Sequence, residues 1–373
     1  MPGPELVARA ARTLTPKGDV SQGAFVITHL LRDRPTMLNS IDQSGCSVFL
    51  LPIPYSEIEG MRALLNPSVM TAPHQDAWPP SREVLFECAD RLSSAVDRFV
   101  FLDIGGYLAE HCNDFTRKYG PSFLGVVEDT EAGHRRYAER DDLEVPVISV
   151  ARSPLKECED VLVGTSIVSA IDNVMRAMER PLRGLQTVVV GYGKIGRSVA
   201  QDLWSRGNRV DVLETDPVRR ALAFSMGFRT PPKELAYGQA DLVVGVTGRT
   251  SVTMRDLDLM KAGCILVSGS SRNVEFEIAA SLVGSQPVHD LTGSNHLVTE
   301  FAVGSKPLML VDHGTPVNFR DAAVIGGPLQ LAQAEILVAA GMILDGSITT
   351  AGLGELDMNI RRGIAGDWVD LNS

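Results

Sequence analysis

Cysteine is scarce in this sequence and does not occur in pairs. There are five cysteines in 373 residues, and none stands at C-x-x-C spacing from another. An odd, scattered set of cysteines argues against a disulfide framework and against a structural zinc site. Long apolar runs are absent too, since none approaches the ~20 residues of a membrane-spanning helix, and residues 1–19 lack the apolar core of a secretory signal. We therefore expect a soluble, cytoplasmic protein.

Positive charge is also in short supply. Lys and Arg total 35 against 46 Asp and Glu, which gives a net charge of −11. This balance disfavours nucleic acid or an anionic membrane as the main partner and leaves small molecules as the expected ligands.

His289, His296 and His313 match no metal-ligand spacing. We interpret them as surface or structural side chains and expect no metal.

The most informative stretch runs from Thr187 to Glu214. Its β-branched start, Thr187–Val190, is typical of a buried parallel strand. A G-x-G-x-x-G turn and a helix follow, with glycines at Gly191, Gly193 and Gly196. These glycines permit a tight bend and a close approach of a pyrophosphate, whose charge the helix N-terminus stabilises. Glu214 closes a second strand 18 positions after Gly196, where a carboxylate accepts hydrogen bonds from a ribose diol and repels a 2′-phosphate. The stretch predicts an NAD site.

Strands and helices alternate along most of the remaining chain, which predicts an α/β protein of two domains. We expect an NAD-binding Rossmann domain at residues 166–324 and a second, Rossmann-like substrate domain at residues 1–165, completed by residues 325–373. The apolar helix at residues 328–340 is interpreted as an interdomain or subunit contact. The last 30 residues are polar and receive no role.

Acidic residues follow two predicted strands, and chemistry in such folds gathers at the carboxyl ends of strands. Asp103 precedes two glycines, and Glu128 and Asp129 end the next strand. The alternative interpretation is structural: Asp103 can be a turn residue, and Glu128 or Asp129 can cap the following helix.

Several of these segments resemble the S-adenosylhomocysteine hydrolase family, from about Gly23 to Ile336. The strongest similarity covers Val190–Gly196 and Leu213–Pro217, with Thr247-Gly248, Met260–Gly263 and Asn273–Glu275 also similar. Upstream, the similar segments are Leu102–Gly106, Val127–Thr130 and Ser153–Asp160. His29 stands where the family has a histidine, and Asp33 stands near its adenine-contacting glutamate.

The resemblance implies a reaction and a set of residues. In that family, bound NAD oxidises the ribose 3′-hydroxyl, the ketone acidifies the C4′ proton, the 5′ group is eliminated, water adds, and the ketone is reduced again. Lys156 and Asp160 would handle the hydroxyl proton, His29 would act at the 5′ end, and Asp129 would hold ribose hydroxyls. The expected cofactor contacts are Gly191, Gly193, Lys194, Ile195, Gly196, Glu214, Thr247, Gly248, Thr130 and Asn318, and the expected substrate contacts are Asp33, Asp103 and Ser271. A homo-oligomer, dimer or tetramer, is expected as well.

The departures from the family pattern indicate a changed substrate site. Ile104, Val161, Thr165 and Ser271 replace an Asp, an Asn, a Cys and a His, and neither the family's Gly-His-Pro segment nor its C-terminal Lys/Tyr tail is present. The sequence therefore predicts an NAD-dependent hydrolase or lyase for a nucleoside-like substrate that hydrolyses S-adenosylhomocysteine poorly. Two alternatives stay open: a plain NAD-dependent dehydrogenase, and a catalytically silent NAD-binding protein that acts through partners. Two of the predicted catalytic residues have a structural interpretation as well: Lys156 can be a surface charge, and His29 can be a core histidine.

Overall fold

The computed structural model describes residues 5–75, 77–282, 289–290, 296–319 and 326–373. The helices are α1 (Glu5–Ala11), α2 (Arg34–Gln43), α3 (Arg82–Ser93), α4 (Cys112–Tyr119), α5 (Glu131–Ala138), α6 (Glu157–Ala177), α7 (Lys194–Ser205), α8 (Pro217–Ser225), α9 (Lys233–Gln239), α10 (Met254–Leu257), α11 (Leu329–Leu344) and α12 (Met358–Asn372). The strands are β1 (Gln22–Thr28), β2 (Ser47–Pro52), β3 (Met70–Thr71), β4 (Arg98–Asp103), β5 (Phe123–Glu128), β6 (Pro146–Ser149), β7 (Gln186–Val190), β8 (Arg209–Leu213), β9 (Leu242–Gly245), β10 (Ile265–Ser268), β11 (His289–Asp290), β12 (Leu297–Val303), β13 (Lys306–Val311) and β14 (Gly352–Gly354).

The chain divides into two units, each built on its own sheet. Unit 1 comprises Met1–Glu159 and Ile325–Ser373, and unit 2 comprises Asp160–Val324. The first boundary therefore falls after Glu159, earlier than the expected boundary after residue 165. Among the described residues, no helix combines the length and the hydropathy needed to cross a membrane.

Unit 1 contains a parallel sheet of seven strands in the order β14-β6-β5-β4-β1-β2-β3. All seven residues of β1 are buried, as expected for a central strand covered on both faces. Alternate residues serve two separate cores: Val26 and Leu50 pack on one face, whereas Phe25 and Phe49 pack on the other. Because all strands run the same way, their carboxyl ends meet at one edge of the sheet, where the loops can carry side chains for chemistry.

The apolar helix near the C-terminus belongs to the core of unit 1. Helix α11 packs against α1, β4, β5 and α12, and its residues are buried almost throughout. The interpretation of this segment as an interdomain or subunit contact is therefore wrong: its apolar residues are used inside the unit.

The last 30 residues, which the sequence left without a role, complete unit 1. Strand β14 extends the sheet by pairing with β6. Helix α12 contributes the buried Arg361, whose Nε donates to Glu335 of α11 at 2.7 Å and whose Nη2 donates to Glu355 at 3.0 Å. Glu335 is fully buried. The pair thus ties the C-terminal helix to the core helix by a charge-assisted bond that water does not screen.

Unit 2 contains the second sheet, in the order β11-β12-β13-β10-β9-β7-β8. Strands β8, β7, β9, β10 and β13 are parallel, and β12 pairs with β13 in the antiparallel sense. The order changes direction at β7, since β8 lies on one side of it and β9 on the other. This is the doubly wound pattern, whose ligand site lies at the carboxyl edge beside that change of direction. The predicted α/β class and the Rossmann domain are confirmed.

Removing the Arg361 side chain tests its role in unit 1. We expect Arg361→Ala to lower the free energy of unfolding by about 3–5 kcal/mol, because it leaves the carboxylate of Glu335 buried without its cation. Equilibrium urea denaturation measures this. The control is Arg362→Ala, which changes an exposed arginine on the same helix and should stay within about 0.5 kcal/mol of the wild type. Equal effects of the two variants would show that the buried pair is not what fixes α12.

Candidate functional site

Three of the predicted catalytic residues lie at the carboxyl edge of the unit 1 sheet. His29 follows β1, Asp129 follows β5, and Lys156 ends a short 3-10 turn after β6. All three are well buried. We refer to His29, Asp129 and Lys156 as the acid–base cluster.

Lys156 is held between two carboxylates. Its Nζ lies 2.7 Å from Asp129 Oδ1 and 3.2 Å from Glu159 Oε2. Burial alone would raise the pKa of Asp129, but the charges of Lys156 and Arg34 outweigh it and hold that pKa below its usual value. Asp129 and Glu159, which the sequence did not pair with Lys156, therefore orient its side chain.

His29 is placed as a neutral base. Its Nδ1 lies 2.6 Å from Ser56 Oγ, and that hydroxyl donates to the carbonyl of Ile53 at 3.1 Å. Since the hydroxyl proton is used there, the imidazole carries its proton on Nδ1 and has its lone pair on Nε2. Burial, followed by the charge of Arg34, lowers the pKa of His29 from 6.5 to about 3. Its surroundings thus favour the uncharged ring.

Arg34 is a buried residue near the acid–base cluster that sequence reasoning missed. Its side chain forms an ion pair with Asp33 at 3.5 Å, and Asp33 also accepts from Gln333. The atom in this ion pair is the buried Nε of Arg34, and among the described residues no well-formed hydrogen bond is made by it. Such a donor is costly unless a ligand supplies an acceptor. Its only signal in the sequence is an arginine at the start of a helix, which is usually exposed.

Asp103 has a structural role instead of the predicted substrate contact. The carboxylate is fully buried and accepts from the backbone N–H groups of Tyr107 and Leu108 and from the hydroxyl of Tyr137, at 2.8–3.0 Å. Burial raises its pKa even so. All three of these donors belong to the protein. The alternative interpretation, a turn residue, describes Asp103 better.

Thr130, predicted as a cofactor contact, caps a helix. Its hydroxyl accepts from Gly133 N at 3.0 Å at the start of α5 and donates to Glu128 Oε1 at 2.8 Å. Glu128 in turn accepts from the backbone N–H groups of Gly105, Gly106 and Thr130. The suggestion that Glu128 or Asp129 caps this helix is wrong, because the threonine does so. Glu128 instead fixes the loop that follows β4.

The glycine-rich turn of unit 2 has the geometry of a phosphate site. Gly191 has φ of 99°, and a Cβ on Gly196 would lie 2.1 Å from the carbonyl oxygen of Gly191, so both positions require glycine. Gly193 is the N-cap residue of α7, and it has no side chain that could bind the first N–H groups of the helix. The space beside it is open, since the nearest atom to a Cβ there is Arg219 Nη1 at 3.9 Å. The first N–H groups of α7 can therefore bind a pyrophosphate.

Lys194 and Ile195, the two predicted cofactor contacts between Gly193 and Gly196, have different surroundings. Ile195 packs into the core of unit 2, whereas the Nζ of Lys194 lies 3.7 Å from Asp160 Oδ2 on α6. Asp160, expected to act together with Lys156, thus forms an ion pair with Lys194. Its role in proton transfer stays a prediction.

Glu214 occupies the position expected for a ribose-binding carboxylate. It follows β8 and accepts from Tyr192 N at 2.7 Å, Thr215 N at 2.7 Å and Asp216 N at 2.9 Å. These bonds fix the carboxylate at the carboxyl edge, and Oε2, which accepts from Tyr192 N, has a second lone pair for a diol hydroxyl.

Thr247 and Gly248 are fixed by a buried glutamate that sequence reasoning did not single out. Glu275 accepts from Thr247 N, Thr247 Oγ1 and Gly248 N at 2.6–2.9 Å. Burial raises its pKa above the usual value. The two backbone N–H groups are thus engaged by the protein, and the loop can contact a cofactor only through its other atoms.

Two buried polar atoms at the same edge of unit 2 have no hydrogen-bond partner in the described part of the chain. They are Ser268 Oγ, at the end of β10, and Asn318 Oδ1, beyond β13. Ser271, predicted to contact substrate, lies in the bend after β10 and is half-buried. Buried polar atoms without partners are uncommon in folded proteins. A carboxamide, such as that of nicotinamide, would supply both a donor and an acceptor. The residues of unit 2 therefore fit NAD at both ends.

The comparison with known families agrees with this geometry. Residues 163–323 match the model of the S-adenosyl-L-homocysteine hydrolase NAD-binding domain. The matched stretch contains the glycine-rich turn, Glu214 and Thr247-Gly248. The resemblance read from the sequence is confirmed, and the cofactor is NAD.

Relatives in this family are similar over part of their length. An adenosylhomocysteinase from Aquifex aeolicus is 38% identical over 42% of this chain and 38% of its own length. An S-inosyl-L-homocysteine hydrolase from Methanopyrus kandleri is 30% identical over 69% of this chain and 61% of its own. An adenosylhomocysteinase from Thermotoga maritima is 32% identical over 62% of this chain and 57% of its own. The matches thus span less than two thirds of each of these relatives.

The placement of Glu214 predicts a preference for NAD over NADP. A 2′-phosphate would meet the carboxylate charge to charge, whereas a diol would donate hydrogen bonds to it. We expect isothermal titration to give at least tenfold tighter binding of NAD, and Glu214→Ala to lose most of that difference (about 1.4 kcal/mol per tenfold). Glu234→Ala, which removes a carboxylate from an exposed position on α9, is the control. Equal binding of the two cofactors by the wild type would contradict the assignment.

Proposed function

We propose that this chain is an NAD-dependent enzyme that transiently oxidises a secondary hydroxyl of a nucleoside-like substrate in order to drive elimination, hydration or dehydration. The observation that carries the proposal is the acid–base cluster of unit 1, present in one chain with an NAD-binding domain. An imidazole and a lysine amine are both groups that can exchange a proton with a substrate. The names of the relatives, hydrolases of nucleoside derivatives, support the same class of substrate.

The residues of unit 1 would divide the work as follows. Lys156, oriented by Asp129 and Glu159, would donate a hydrogen bond to a substrate oxygen. His29 would accept a proton through Nε2, because its Nδ1 proton is committed to Ser56. Arg34 would donate from Nε to a further acceptor on the substrate. NAD, held by the residues of unit 2, would supply the reversible oxidation of the hydroxyl-bearing carbon that the residues of unit 1 assist.

The substrate site is proposed to differ from that of the adenosylhomocysteinases. Ile104 stands where the family pattern has an Asp, and its side chain is buried and apolar. Ser271 replaces a histidine. A polar group of S-adenosylhomocysteine left without its partner would cost about 1–3 kcal/mol, or roughly tenfold to hundredfold in rate. A smaller or differently substituted nucleoside would avoid that cost.

Poor hydrolysis of S-adenosylhomocysteine is the first expected outcome. Homocysteine release, measured with a thiol reagent, should be at least about a hundredfold slower than for the Thermotoga maritima adenosylhomocysteinase assayed beside it, because at least two polar partners are missing. Release at a comparable rate would show that the substrate site is not remodelled.

Lys156→Ala tests the proposed chemistry directly. Adenosine, inosine and S-adenosylhomocysteine are mixed with the NAD-loaded protein, and the absorbance of reduced nicotinamide is followed. We expect the variant to reduce its NAD at least about a hundredfold more slowly than the wild type, since it lacks the donor to the substrate oxygen, while NAD affinity stays unchanged. Lys118→Ala, which removes a surface lysine paired with Asp90, is the control.

The same experiment separates the competing functions. Unchanged cofactor reduction in Lys156→Ala would refute the role of this lysine. Net release of NADH with each turnover would identify a plain dehydrogenase instead. A wild-type protein that never reduces its NAD with any of the three compounds would contradict the proposed function and favour a silent NAD-binding protein.

A further inference from the structure

Arg219 is a charged residue of unit 2 that lies beside the glycine-rich turn and that sequence reasoning did not single out. It is exposed and belongs to the first turn of α8. Its Nη1 lies 3.9 Å from the place where a Cβ of Gly193 would stand. Gly193 is the second glycine of the turn, the one whose backbone a pyrophosphate approaches in folds of this kind. The guanidinium therefore borders the place that the pyrophosphate of NAD would occupy.

The backbone of Arg219 is fixed by a series of bonds that begins at Glu214. The carboxylate of Glu214 accepts from the N–H groups of Thr215 and Asp216 at 2.7 and 2.9 Å. Asp216 is the N-cap residue of α8, and its Oδ1 accepts from Arg219 N at 2.9 Å. Pro217, at the first position of the helix, restricts the chain further. The residue that marks the ribose and the arginine thus belong to one short, tightly bonded segment.

The charge of Arg219 lies in unfavourable surroundings. In the part of the chain that the structure describes, its guanidinium forms no ion pair with a carboxylate, whereas Arg206 and Arg229 of the same unit do. The N-termini of α7 and α8 carry partial positive charge, which disfavours a cation beside them. Asp216 offsets this charge at α8, but Gly193 has no side chain that could do so at α7. An anion bound at the glycine-rich turn would relieve this repulsion.

Two anionic groups of a dinucleotide could meet this arginine: the pyrophosphate, and the 2′-phosphate of NADP. The neighbours of the guanidinium distinguish between them. Nη1 lies beside Gly193 of the turn, whereas a 2′-phosphate would lie at the ribose, where the carboxylate of Glu214 would repel it. The position of Arg219 therefore favours the pyrophosphate.

We propose that Arg219 is a cofactor-binding residue whose guanidinium donates hydrogen bonds to the pyrophosphate of NAD. The first N–H groups of α7 and this guanidinium would bind the phosphate oxygens together. A guanidinium has several N–H groups in one plane and matches phosphate oxygens in geometry as well as in charge. The inference concerns the cofactor alone and does not depend on the proposed reaction.

The contribution of this charge is tested by binding, without turnover. The fluorescent ethenoadenine analogue of NAD is bound to the full chain freed of nucleotide. NAD, ADP-ribose, NADP and adenosine are then measured by their displacement of this probe, so that only binding at the cofactor site is counted. We expect Arg219→Gln to weaken NAD and ADP-ribose each by about tenfold, the effect of one lost bond between charged groups, and adenosine by less than about twofold. Arg219→Lys, which restores the charge, should regain part of the affinity.

Arg220→Gln is the matched control. Arg220 is the next residue of α8, is also exposed, and donates from Nη2 to the carbonyl of Thr230 at 3.1 Å. The variant makes the same change of charge on the same helix, so NAD affinity should stay within about twofold of the wild type. Raising the salt concentration from about 50 to about 500 mM should weaken NAD binding several-fold more in the wild type and in Arg220→Gln than in Arg219→Gln, because salt screens a charge that the last variant lacks.

Four results would overturn the proposal. Unchanged NAD affinity in Arg219→Gln would make the residue an ordinary surface charge, and equal losses in Arg220→Gln would indicate a general effect of charge. An equal loss for NAD and adenosine would show that the variant disturbs the turn and not a phosphate contact. A loss confined to NADP would assign the arginine to the 2′-phosphate. A protein that reduces no NAD with any nucleoside would refute the proposed function and leave these binding results unaffected.

Discussion

Buried carboxylates that bind backbone N–H groups hold the functional edges of both sheets in place. In unit 1, Glu128 accepts from three backbone N–H groups and the hydroxyl of Thr130. In unit 2, Glu275 does the same for Thr247 and Gly248. The half-buried Glu214 accepts from Tyr192 of the glycine-rich turn and from Thr215 and Asp216. The loops that carry the site therefore owe their positions in part to these carboxyl groups.

The cofactor domain could be predicted because its evidence is local in the sequence. A buried strand, a glycine turn, an amphipathic helix and a terminal acid follow one another within a single stretch from Thr187 to Glu214. Each element restricts the next, so spacing alone indicates the arrangement. The structure accordingly has Gly196 packed against Gly191 and Glu214 at the end of β8.

The acid–base cluster could be predicted only in part, because its contacts join segments far apart in the chain. The spacing of Lys156 and Asp160 gave no sign that the lysine contacts Asp129 and Glu159, or that Asp160 contacts Lys194. Arg34 gave no sign of being buried, since its environment is made by other segments. The apolar pattern of α11 likewise indicated burial but not the elements that cover it. Periodicity reports which side chains avoid water, whereas their partners depend on the tertiary fold.

Unit 1 is built from two separate parts of the chain, and this affects the order in which the two units can fold during synthesis. All strands of unit 2 are encoded before α11, β14 and α12, which unit 1 still needs. On the ribosome, unit 2 can close its sheet first, while the apolar surface of β4 and β5 that α11 later covers remains exposed. The nascent chain thus passes through a stage at which the half that binds the cofactor is complete and the other half is prone to aggregation. Early capture of NAD would stabilise the completed half during that stage.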